Sequence, residues 1–329
     1  MEEQARQENA SQAEPELLYH YTDHNGLIGI LTNRCIWATD IRYLNDWSEG
    51  KLVWNSLFDE LNSRVDITNE QVFELFGIPY KQPEGKPERR IDGDTFTSAL
   101  SSAVFVTTQD AFVASFSEHG DRLSQWRAYS GNGVGFSIGF ERNYLRAISE
   151  SYMRGRADRI FDTSSQLVQC EYVHANSSSS TMKELVKKSV DAFINDVGTS
   201  SESPRMEGGE GFQSTSAIAL RRFLLLGVLS SITKDSGFSE EAEWRLAFLL
   251  NRNSAHAGLK FRASRSVPVP YLEIPLNFDE FPSGIRRVIV GPCDQQRSEA
   301  ATESAKMLLR QSGIKEAGVD SSVIPYRNW

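Results

Sequence analysis

LLYHYT (17–22) sets an apolar pair ahead of aromatic and polar positions and reads as a short strand. Asp23 is placed to cap a helix carrying Leu27, Ile28, Ile30 and Leu31. CIWATD (35–40) is a second strand pattern. A helix with Leu52, Val53, Leu57, Phe58 and Leu61 is expected next, with Asp46 and Glu49 at capping-box spacing. AFVASFSE (111–118) reads as strand and DRLSQWRAYS as a short helix with Leu123, Trp126 and Tyr129 one turn apart. GVGFSIGF (133–140) returns to the strand period of two.

Val168, Cys170 and Tyr172 alternate in the same way. Thr181 and Glu184 have capping-box spacing before a helix with Leu185, Val190, Phe193 and Ile194. A longer helix is expected over about 215–233. EAEWRLAFLL (241–250) predicts a strand with Glu241, Glu243 and Arg245 on one face and Trp244, Leu246 and Phe248 on the other. Strands near 258–263, 269–276 and 285–290, a helix over 297–312 stopped at Gly313, and a strand near 321–326 complete the pattern. Strands and helices do not alternate strictly, so the fold class is α+β. Residues 79–94 and 198–214, rich in Gly and polar groups, read as mobile loops.

Composition narrows the function classes. The chain has 329 residues and a net charge of −9, which disfavours sequence-blind binding to duplex DNA. Cys35, Cys170 and Cys293 are far apart and form no CxxC pair, as expected of buried thiols in a reducing compartment. The stretch 1–16 is polar and acidic, without the basic start and apolar core of a secretory signal, and reads as a disordered tail. FLLLGVL, after Arg222, falls far short of the ~20 apolar residues of a membrane span. A cytoplasmic protein with no membrane partner is expected.

Polar clusters interrupt the apolar strands at His20-Tyr21-Thr22, at Ser115–Glu118 with Gln125, Trp126, Arg127 and Tyr129 after it, and at Glu241–Arg245. Each has a plain reading. His20 serves as a hydrogen-bonded structural histidine, Trp126 and Tyr129 as core contacts, and the two glutamates as a solvated face paired with Arg245. No phosphate-binding glycine loop, HExxH or GxSxG is present. The five histidines lack metal-ligand spacing, so no metal is expected.

Taken together, YHYT, GILTNRCIWATDIRYLNDWSE, ASFSE, DRLSQWRAY, GVGFSIGF and EAEWRL resemble the bacterial domain-of-unknown-function family DUF2971 over about 17–250. That family in turn distantly resembles the ADP-ribosyltransferases. The resemblance implies a split β-sheet core around an NAD cleft at 17–250 with flanking helices; the strands and helix over 251–329 go beyond that core and are expected to form a C-terminal β-α-β extension that completes it or packs on it. It implies Glu243 as the carboxylate that stabilises the ribosyl cation and Glu241 as a base for an acceptor. His20, Tyr21, Thr22, Ser115, Ser117, Trp126, Tyr129 and Arg245 would hold NAD: His20 by donating to a ribose hydroxyl or a neighbouring carbonyl, an aromatic by stacking on nicotinamide, and Arg245 or Arg127 by pairing with pyrophosphate.

The expected function is NAD-dependent ADP-ribosyl transfer to a protein side chain or a nucleic-acid base, in phage defence or as a toxin. NAD is its substrate and a macromolecule its partner. The alternatives are a non-catalytic module sensing a nucleotide or phage component, and an NAD glycohydrolase. The sequence fixes neither the acceptor nor the oligomeric state.

Overall fold

The structure is a computed structural model. It describes residues 16–44, 109–131, 134–154, 165–173, 232–251, 258–264, 266–280 and 284–326, with scattered positions at 56–57, 59–60, 63–64, 156, 183–184, 186–188 and 190–191. These residues form a mixed α+β structure built on one large, mostly antiparallel sheet.

The opening strand is β1 (Leu17–Thr22), followed by helix α1 (His24–Asn33) and strand β2 (Cys35–Asp40). Asp23 caps α1 by accepting from the Gly26 amide at 2.8 Å. Leu27, Ile30 and Leu31 are buried, while Ile28 turns outward. The helix ends at Arg34 in the left-handed region. Strand β3 (Gln109–Ser117) leads into helix α2 (Leu123–Tyr129), strand β4 (Phe136–Glu141) and helix α3 (Arg142–Arg154). The sequence reading missed α3, although Tyr144, Leu145, Ile148 and Met153 bury one face of it.

Strands β5 (Ser165–Gln169), β6 (Glu171–Val173), β7 (Thr233–Asp235), β8 (Glu243–Asn251), β9 (Leu259–Arg262), β10 (Val269–Pro275) and β11 (Ile285–Val290) follow. Helix α4 (Gln295–Gln311) and strand β12 (Gly318–Ser321) close the series. Asp294 caps α4 through the Arg297 amide.

The sheet forks at β3. One edge of β3 pairs antiparallel with β8 along its whole length, from Gln109↔Asn251 to Ser117↔Glu243. The other edge is shared: Phe112 and Val113 pair with β2, and Ser117 pairs with Tyr19 of β1. β1 continues into β4, β11 and β12, and β2 into β10 and β9. β11, α4 and β12 form a parallel β-α-β unit. The strands after 251 are therefore woven into the same sheet. The main core contains Leu18, Phe112, Phe116, Phe140, Leu246, Phe248 and Leu272. A second small sheet pairs β6 and β7 in parallel.

Several expectations shift. Glu241 ends a 3-10 turn (Ser236–Glu241) and does not open the strand; Ala242 at φ 41° breaks the two apart. The helix expected to 233 gives way to β7 at Thr233, with Ile232 still helical. Cys170 separates β5 from β6, splitting the expected run. The last strand falls at Gly318–Ser321, ahead of the 321–326 expected. Residues 56, 57, 59, 60 and 63, and 183, 184, 186–188, 190 and 191, are helical as the patterns predict. The capping residues Asp46, Glu49 and Thr181, both expected loops and the tail 1–15 lie outside the described residues.

Candidate functional site

The β3–β8 register sets the two motifs SFSE and EAEWR against each other residue by residue. Ser115 faces Arg245, Phe116 faces Trp244 and Ser117 faces Glu243. Beyond the ladder, the Glu118 amide donates to the Ala242 carbonyl, and Trp244 Nε1 donates to Glu118 Oε1 at 2.7 Å. Their joint occurrence in sequence is thus one structural unit.

At the fork, β1 leaves β3 after Tyr19. His20 then substitutes for a strand partner: its Nδ1 lies 2.9 Å from the Ser115 carbonyl. A carbonyl only accepts, so Nδ1 carries the proton. Burial pushes the imidazole below its ordinary 6.5, against the upward pull of the Ser115 bond. The ring is neutral near pH 7, and Nε2 is an acceptor. Of the two donations expected of His20, the one to a neighbouring carbonyl is made, and the neutral ring then has no second N–H for a ribose hydroxyl.

A pocket of about 80 Å³ opens beside it, lined by Tyr19, His20, Tyr21, Ser115, Phe116, Gln125, Tyr129, Glu241 and Glu243. The volume is below the roughly 300–1,000 Å³ of dedicated small-molecule sites and suits one ring-sized group. His20 on β1 and Glu243 on β8 therefore do face one space. Tyr19 packs tightly at the back, where a Cβ on Gly120 or Gly139 would fall 2.5 Å or 2.9 Å from its ring.

The charge beneath the pocket is concentrated. Glu243 is 5% exposed. Its Oε2 accepts from Lys234 Nζ at 2.7 Å and from Arg245 Nη2 at 3.2 Å; its Oε1 accepts from Arg245 Nε at 2.8 Å. Lys234 Nζ also donates to Glu241 Oε2 at 2.5 Å. Burial alone would raise the Glu243 carboxyl, but Arg245 and Lys234 override it and hold it at about 2. Burial would lower the Lys234 ammonium, but Glu243 and Glu241 push it well above its ordinary range. Lys234 comes from β7, and Tyr172 of β6 accepts the Glu243 amide at 2.7 Å. The small sheet thus locks the start of β8.

Other expected ligand residues play different parts. Trp126 is 2% exposed, meets Tyr21 edge-on at 4.7 Å between centroids and donates to Asp121 Oδ1. It is a core residue and cannot stack on a ligand. Tyr21 donates to the His119 carbonyl and accepts from the Arg122 amide, so only part of its ring meets the pocket. Thr22 does not line the pocket; its Oγ1 fills the space where a Cβ on Gly26 would sit, 1.7 Å away. Ser117 Oγ donates to the Glu241 carbonyl and accepts from the His119 amide, fixing the turn behind the site. Arg245 is 1% exposed and bonded to Glu243, which removes it from any pyrophosphate. Arg127 lies over the Tyr326 ring, 5.4 Å from its centroid.

Tyr129 presents the accessible aromatic surface, at 38% exposed. Its phenol is pushed up to about 12, first by burial and then by the Glu241 charge. Gln125 was named in the second polar cluster without a ligand role, and Lys234 was not singled out from sequence at all. Gln125 sits one position before a tryptophan on a short helix, and Lys234 in ITKDS has no pattern that marks it.

The far wall is tied to the end of the chain. Ser322 Oγ and the Val323 amide both donate to the Asp121 carboxylate, the group that also takes Trp126 Nε1. Ile324 packs on the cluster of Tyr19, Tyr21, Trp126 and Ile289.

The model of a family described as protein of unknown function (DUF2971) matches residues 125–246, from Gln125 on α2 to Leu246 on β8. The matched stretch carries Tyr129, Lys234, Glu241, Glu243 and Arg245, while His20 and Ser115 lie before it. No curated protein and no solved structure matches the chain. Among the described residues no group of three or more His, Cys, Asp or Glu is placed to hold a metal, and no helix is long and apolar enough to cross a membrane.

Proposed function

We propose that the protein is an NAD-dependent ADP-ribosyltransferase with a protein side chain or nucleic-acid base as acceptor, on a split-sheet core of the kind those enzymes use. The observation that carries this reading is the convergence of His20 with Glu241 and Glu243, a pair far from it in sequence, on one pocket at the fork of the sheet.

Breaking the nicotinamide–ribose bond sends its electron pair to the departing ring and leaves positive charge on the sugar. Glu243, ionised throughout the neutral range, stabilises that charge. Its Oε1 retains a lone pair for the ribose 2′-hydroxyl beside the Arg245 bond. Tyr129 offers a face to the nicotinamide ring, and His20 Nε2 accepts from a carboxamide or hydroxyl donor. The acceptor nucleophile then bonds to the ribosyl carbon, and its proton passes to Glu241. The enclosed volume holds one ring or the ribose, and the rest of NAD lies on the surface outside.

Labelled NAD incubated with cell extract should release nicotinamide and label a macromolecule, and Glu243→Gln should lower the rate by at least 100-fold. Free ADP-ribose without a labelled macromolecule would select the glycohydrolase. An unchanged Glu243→Gln rate, or no nicotinamide at all, would remove the enzyme.

One observation favours a second reading, a non-catalytic module that senses a nucleotide. Lys234 and Arg245 already offset the Glu243 charge, leaving less of it for a cation that forms only in the transition state. Calorimetric NAD binding without turnover would select this reading.

A further inference from the structure

The group that organises the pocket floor belongs to neither sequence motif. Lys234 is 5% exposed and stands on a three-residue strand outside the large sheet. Its ammonium reaches two carboxylates from two different elements: Glu241 at the end of the 3-10 turn and Glu243 at the start of β8. The left-handed Ala242 between them lets both carboxylates converge on one donor despite the break in the strand. Without a shared cation, two carboxylates this close would repel, and one would take up a proton or turn away.

We propose that Lys234 is a positioning residue for the pocket: by gripping Oε2 of both Glu241 and Glu243, it fixes the two carboxylates side by side and leaves for the ligand Oε1 of Glu241 and the lone pair of Glu243 Oε1 beside the Arg245 bond. The assignment rests on the proposed use of this pocket, but the arrangement it describes can be measured without any ligand.

The groups facing the ammonium come from every neighbouring element. Glu241 and the Phe238 ring, 5.0 Å from Nζ, belong to the 3-10 turn. Glu243 and Arg245 belong to β8, Tyr172 to β6 and Tyr129 to α2. Arg245 binds Glu243 alone of the two carboxylates in the bonds described above. Lys234 is what joins Glu241 to the pair. A lysine that only stabilised the fold would leave the acid limb of nicotinamide release unmoved when the ammonium is exchanged for an isosteric thioether.

The test is a carboxyl-carbon NMR titration of Glu243 in wild type, Lys234→Met and Lys234→Arg, with nicotinamide release followed against pH in the same samples. In Lys234→Met, Glu243 should titrate at a pH at least one unit higher, and the acid limb of nicotinamide release should move the same way. Lys234→Arg should restore most of the wild-type behaviour. Unchanged titration of Glu243 in a folded Lys234→Met, or a folded Lys234→Arg that restores nothing, would overturn the proposal. If Lys234→Met does not fold, Lys234→Met with Glu241→Gln removes one charge of each sign. Glu243 should still titrate high there, and wild-type titration would overturn the proposal. Absence of nicotinamide release in wild type would remove the transferase while leaving the titration to decide on Lys234.

Discussion

Glu243 keeps its negative charge in a nearly water-free setting because two cations surround it. Its folded value, about 2, lies below the ordinary 4.5. The group therefore contributes stability above pH 4.5 and loses it as pH falls from 4.5 toward 2. Urea unfolding across that range should show a steep loss of stability in wild type and a flatter one in Glu243→Gln. At neutral pH the same variant removes the buried carboxylate that Lys234 and Arg245 both bond, at a cost of about 3–5 kcal/mol.

His20 has the same sign by a different route. Its folded value is lowered, so the unfolded chain takes the proton first and stability falls as pH drops below 6.5. His20→Phe should cost about 1–3 kcal/mol, because the Ser115 carbonyl then lacks a donor, and the loss is read from the denaturant midpoint. The local pattern left His20 balanced between a structural bond and a site. The two ring nitrogens split those roles, which no pattern of residue types encodes. Lys234 was illegible for a related reason: its meaning comes only from the two carboxylates that the fold brings to it.

The short helix α2 separates the two aromatics that the sequence offered as equivalents. Trp126 faces the cluster with Tyr21, and Tyr129, three residues on, faces the pocket. Trp126→Ala should destabilise by about 3–5 kcal/mol. Tyr129→Ala should leave stability within about 0.5 kcal/mol and, on the proposed function, weaken NAD binding by about tenfold in calorimetry, since its ring lines the pocket and lies outside the core clusters.

At this scale the regular strands were the legible part. β1, β2, β3, β8, β10 and β11 fall where period-two alternation or a continuous apolar run places them. The turn at Ala242 was not legible, because EAEWR alternates well enough to extend the strand backward by two residues. Tertiary contacts with Lys234 and Ser117 override that pattern.

For the molecule as a whole, the fork at β3 matters more than any strand count. The two branches share one edge of β3 at different ends, and the interval near Ser115 is bridged by an imidazole in place of a backbone partner. No reading of separate elements predicts this, because it depends on which strands compete for the same edge. Gly139→Ala tests how closely the branch carrying β1 and β4 controls the pocket. The new methyl would meet the Tyr19 ring from behind, and it should lower NAD affinity without touching a polar group of the site, measured beside an unchanged far-ultraviolet circular dichroism spectrum.

Asp121 holds both the Trp126 indole and residues 322–323 with a single carboxylate. The segment after β12 and the helix carrying Tyr129 thus share one knot, like two ropes on one cleat. A protease cut between 321 and 325, or a fusion that pulls this segment away, would slacken α2 and register as lost ligand affinity at a pocket it never enters. The end of the described chain is therefore a handle on the site as much as the finish of a strand.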